Sequence, residues 1–203
     1  MTLISLGGGC CVKHHIDLFL EHTYETQPTH FFDWLLTDFN SACEILRLHN
    51  DIDTLLNREN FRIDVSKPYN ASVQLILLSH CESIHDVPNP YNEKDIDDFI
   101  DKYKRRLERL ISLIQSNEHI YFIRFDYGVR QLTEEQKRRF HDLIHDINPT
   151  CKYTLVSLLE TNKNIYQPNY IGIDLNAYKF SKDKTDWKNN HYNWDKIFRQ
   201  ILP

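Results

Sequence analysis

A chain of 203 residues, 41% of them hydrophobic, is long enough to bury one sizeable core, and 24 Lys+Arg against 29 Asp+Glu leave a formal charge of -5. That balance excludes a disordered tail and argues against bulk nucleic acid or an anionic membrane as the main partner, since both recruit a net basic face. Five cysteines, an odd number in no zinc-finger spacing and with no signal peptide ahead of them, suit a reduced cytoplasmic setting. The longest apolar runs, such as Val73 to Leu78, fall far short of the roughly 20 residues that cross a bilayer.

In chain order, Thr2 to Leu6 reads as a short strand stopped by Gly7, Gly8 and Gly9, three of the five glycines in the chain. Val12, Ile16, Phe19 and Leu20 then fall at helical spacing. Leu35 to Leu56 carries a second, broken helical pattern with Ser41 as a cap. Val73 to Leu78 reads as a buried strand ending at Ser79 and His80, followed by a loop with Pro88 and Pro90. Asp95 to Gln115 is the clearest helix, with Ile96, Phe99, Ile100, Tyr103, Leu107, Leu110, Ile111 and Ile114 on one stripe. Ile120 to Phe125 is a strand. Thr133, ahead of Glu134 and Glu135, opens a helix that runs to about Ile147. Tyr153 to Leu159 and Tyr170 to Leu175 are strands, and Trp194 to Ile201 is a final helix. The alternation predicts a single α/β domain over residues 1–203, three layers around a largely parallel sheet.

Ligands of open parallel sheets bind beyond the carboxyl ends of the strands. The residues predicted there are Cys10, His80, Arg124 with Asp126, and Glu160. Glycines let backbone amides approach a ligand, and a following helix N-terminus favours an anion and lowers the pKa of a thiol. The Gly7–Cys11 turn therefore supports two readings: a nucleophilic cysteine with an oxyanion hole, or a phosphate cradle. Against the cradle, a dinucleotide pattern needs glycine at Val12, and no lysine takes a phosphate-loop position. A cysteine phosphatase would carry arginine six positions after the nucleophile, where this chain has Ile16 or Asp17. Cys10 with His14, and Cys11 with His15, sit four apart, but no paired ligand motif follows downstream, so neither a metal nor a cofactor is expected.

The chain also carries Ser5-Leu6-Gly7-Gly8-Gly9-Cys10, Phe32-Asp33-Trp34, His80, Tyr103-Lys104-Arg105-Arg106 and Phe122-Ile123-Arg124 in that order. This set resembles a family of domains of unknown function described as papain-like cysteine peptidases, and it spans about residues 2 to 160. Phe31 stands where members often have Pro, and Cys81 follows His80 where they often have Asp, which leaves His85-Asp86 open as the equivalent pair. The resemblance implies thiol chemistry, with a papain-like α+β fold as the alternative architecture. Cys10 would attack, His80 would serve as base, and Asp33 or Asp126 would orient the imidazole. Amides of Gly8, Gly9 and Cys11 would face the substrate, and Arg124 would hold an anionic part of it. The expected partner is a small-molecule or peptide substrate, anionic if Arg124 holds it; the rivals are a non-catalytic binder of a nucleotide-like or other anionic small molecule at the same turn and an ester hydrolase on a similar sheet.

Overall fold

The computed structural model describes residues 1–23, 25–66, 68–125, 131–180 and 187–202. Among the described residues, two sheets and six α-helices make up the α/β fold. The first sheet contains β1 (Thr2–Ser5), β6 (His119–Phe125), β7 (Lys152–Leu159), β9 (Tyr170–Asp174) and β8 (Ile165–Gln167), adjacent in that order. All its pairs are parallel except β8 with β9. The second, antiparallel sheet runs β2 (Leu35–Thr37), β5 (Cys81–Pro88), β4 (Asn70–Leu75), β3 (Phe61–Asp64).

Side chains of a strand alternate between its faces, and the parallel strands feed two separate apolar clusters accordingly. Ile4, Ile120, Phe122 and Leu155 join a core built with α2 (Phe39–Arg47), α4 (Glu93–Ile114), α5 (Glu134–Ile147) and the antiparallel sheet. Leu3, Tyr121, Ile123 and Val156 join the other, with α1 (Cys10–His22) and α6 (Trp194–Ile201). Near-continuous burial along β6 and β7 follows, as expected for strands covered on both faces.

The helices begin where side chains can satisfy their first amides. Asn92 and Asp95 form a reciprocal capping box on α4, and Thr133 and Gln136 form one on α5. The antiparallel sheet was not expected. The segment read as one broken helix from Leu35 divides into β2, α2 and the short α3 (Ile52–Leu55). β4 stops at Leu75, because Ile76 and Leu77 turn outward and are 55% and 53% exposed. The predicted strand exit at His80 therefore belongs to the β4–β5 hairpin of the second sheet and not to a strand of the parallel sheet.

Candidate active site around Cys10

After β1 the chain turns through Gly7 (φ 72°) and Gly8 (φ 83°), a left-handed path that side chains resist. A Cβ on Gly7 would sit 2.8 Å from the Thr37 Cβ, so the turn and β2 touch without room for a methyl group. The Gly8 amide donates to the Thr37 carbonyl at 3.0 Å, which commits it to structure and removes it from the expected substrate-facing set. Gly9 caps α1 through its backbone alone, and Cys10 is the first helical residue.

The Cys10 thiol is 7% exposed and lies 3.6 Å from the Trp34 carbonyl oxygen, to which it donates. Burial pushes its pKa up to about 11, the nearby backbone amide partly opposes this, and the Asp86 carboxylate raises it further. This corrects the expected depressed pKa. A helix terminus contributes about 0.3–1 kcal/mol, less than one pKa unit, and desolvation outweighs it. Cys11 is fully buried beside Val12 and Ile16 in the second core.

Arg124, expected to face an anion, is 2% exposed and donates to the carbonyls of Leu6 and Thr37, both at 2.8 Å, with Phe39 under its guanidinium. It splices the end of β1 to the end of β2. Asp33 is fully buried; one carboxylate oxygen accepts from the His30 amide at 2.8 Å and stands 3.5 Å from the Lys13 ammonium, itself 2% exposed. Burial lifts its pKa to about 6, against the pull of Lys13 and of the His30 amide. Glu160 accepts from the Tyr192 hydroxyl at 2.6 Å. Asp126 lies outside the described residues.

His80 is exposed, its amide bonded to the Ser41 hydroxyl and its carbonyl to the Asp38 amide. In the β2–β5 register Thr37 faces Cys81, so His80 stands level with Asp38. That is four residues along the chain from Trp34, whose carbonyl meets the thiol.

Two other imidazoles, His14 and His85, pack against the ring of Trp187. Between the pairs Ala71–Val87 and Val73–Ser83, β5 takes four steps while β4 takes two, a bulge that carries Ile84, His85 and Asp86. Asp86 accepts from the Ser83 and Tyr103 hydroxyls, both at 2.6 Å, and from the Lys102 ammonium. Burial would raise its pKa, but bonds from Lys102, Ser83 and Tyr103 hold it below the usual carboxylate range. Trp34 adopts a left-handed φ of 68°, which turns its carbonyl toward Cys10. Trp187, half exposed, bridges three rings: His14 at 5.5 Å, Trp34 at 6.4 Å and His85 at 6.5 Å between centroids. His14 follows Cys10 by one helical turn and so shares its side of α1.

The sequence pointed to Cys10 and left His85-Asp86 open as an alternative pair; Trp187 carried no signal, standing alone among polar residues. All five cysteines are buried. Among the described residues no group of three or more His, Cys, Asp or Glu side chains is placed to hold a metal ion, and no helix is long and apolar enough to cross a membrane.

No family model matches the chain. It is similar to a protein of Acanthamoeba polyphaga mimivirus named uncharacterized protein R408, with 24% identity over 222 residues, covering 96% of this chain and 95% of that one. No solved structure matches.

Proposed function

We propose that the protein is a cysteine-nucleophile hydrolase or acyl transferase, with Cys10 as nucleophile and His85, rather than His80, as general base. The observation that carries this reading is the placement of Cys10: first residue of a helix, behind two left-handed glycines, beside an aromatic rim that holds two imidazoles. The resemblance of the Ser-Leu-Gly, Phe-Asp-Trp and Phe-Ile-Arg segments to papain-like cysteine peptidases supports the same chemistry.

With a thiol pKa near 11, the resting group at neutral pH is neutral, and attack requires proton removal in the same step. His85 takes the proton, Sγ bonds to the acyl carbon, and the carbonyl electron pair moves to oxygen, facing the amides at the start of α1. Collapse of the adduct expels an amine, alcohol or thiol that recovers the proton from the imidazolium. Water or a second acceptor then releases the acyl group. Asp86, anchored three ways, fixes the bulge that carries His85. The binder reading draws less support, because Arg124 is 2% exposed and donates to two backbone carbonyls.

A panel of thioesters, esters and peptides tests the assignment. Turnover should vanish in Cys10→Ala, fall about 100-fold or more in His85→Gln, and persist in His80→Gln. A wild-type protein that captures a ligand stoichiometrically and releases no product would replace the hydrolase with the binder.

A further inference from the structure

On the opposite edge of the parallel sheet a second concavity has the composition of a ligand site. Cys10 follows the carboxyl end of β1, whereas this cavity, about 400 Å³, opens beside the amino ends of β7 and β9, where α5 and the turn after β8 meet. Its volume lies within the range of small-molecule sites. None of its residues has a role in the chemistry proposed at Cys10.

Lys137, Arg138 and His141 stand three, four and seven positions after Glu134, which puts all four on one face of α5. That face lines the cavity. Lys137 is drawn in: its side chain is 9% exposed, its ammonium sits 4.3 Å from the centre of the Tyr170 ring, and it donates to the Gln167 side chain at 2.8 Å. Glu134 pairs with it, so one positive charge, that of exposed Arg138, is left over on this face. His141 is oriented by a 2.9 Å bond between its Nδ1 and the Tyr153 hydroxyl, which leaves Nε2 as its second polar group. Tyr153 and Tyr170, 4% and 3% exposed, supply flat apolar walls.

We infer that this cavity binds a small aromatic anion, a flat ring bearing a phosphate or carboxylate, with the anionic group at Arg138, Lys137 and His141 and the ring against the two tyrosines. An uncharged ring would leave Arg138 unused, and a bare anion would leave the tyrosine walls unused.

Calorimetric titration of the full chain with phenyl phosphate, benzoate and inorganic phosphate tests this. An aromatic anion should bind with a Kd on the order of 0.1–1 mM, and inorganic phosphate about tenfold more weakly. Comparison of phenyl phosphate with benzoate distinguishes the two anionic groups. Arg138→Ala, a change at an exposed position that leaves the core intact, should weaken binding about tenfold. Cys10→Ser should titrate like wild type, which separates this site from the one at the glycine turn. The assignment is overturned by no binding of either aromatic anion at about 10 mM, by equal affinity for inorganic phosphate, by an Arg138→Ala protein that binds unchanged, or by loss of binding in Cys10→Ser.

Discussion

Two buried groups behind Cys10 titrate in opposite senses. The Asp33 pKa is raised from 3.8 to about 6, chiefly by burial, so between those values the folded state holds more protons than the unfolded chain and stability falls as pH rises. His30 is lowered from 6.5 to about 4, by burial and then by Arg109 and Lys13. Here the unfolded chain holds more protons, and stability rises with pH across about 4 to 6.5. Each effect amounts to about 3 kcal/mol at most, and in the wild type they offset one another. Urea denaturation should therefore show a nearly level contribution from this pair between pH 4 and 6, and a steep gain with rising pH in Asp33→Asn. At Cys10 the high pKa has a direct readout: alkylation by iodoacetamide should quicken about tenfold per pH unit from 7 to 9 with no plateau. A plateau below pH 7 would mean a preformed thiolate and would overturn the neutral resting state. Arg124→Met should cost about 3 kcal/mol or more, because two buried carbonyls lose a charged donor together, and a Tm unchanged from wild type would show that the splice is dispensable.

At the scale of elements, what could be read from the sequence followed the length of the periodic signal. The stripe from Ile96 to Ile114 spans about five turns and specifies α4 with one face buried, and Thr133 announces α5 through its own side chain. β1, β6, β7 and β9 were legible because strands covered on both faces are apolar throughout. β5 was not: Cys81 to Pro88 mixes Glu82, His85 and Asp86 among its apolar residues, and the bulge that seats His85 breaks the period of two by which a strand is recognised. The residues most useful to a site thus disguised the strand that holds them. The glycine turn was legible as a turn, but its contact with Thr37 joins residues 30 positions apart and leaves no local trace. Gly7→Ala should destabilise by about 1–3 kcal/mol, through the left-handed φ and the contact with Thr37. A Tm equal to wild type would show that the turn can relax.

At the scale of the molecule, the candidate site is assembled from four distant stretches: Cys10 and His14, Trp34, His85 with Asp86, and Trp187. The last is held against α1 from the carboxyl-terminal side. His15 bonds the Lys188 carbonyl at 2.6 Å and stacks on Trp194, whose indole nitrogen donates to the Asn189 carbonyl. Trp187→Ala should leave the core unchanged, lower Tm little, and raise the rate of Cys10 labelling several-fold, since that ring is half exposed and bridges the rim. An unaltered labelling rate would place the ring outside the thiol's approach route.

That tether also sets an order of events during synthesis. A ribosome delivers the thiol first, then Trp34, then the histidine and carboxylate of β5, and the indole that spans them only after all of these. While residues 187 to 194 are still being made, the nascent polypeptide carries its sulfur without the indole that bridges His14, Trp34 and His85. Because the raised pKa comes from burial, that protection begins only when the fold closes over the sulfur, and until then the thiol keeps its ordinary reactivity.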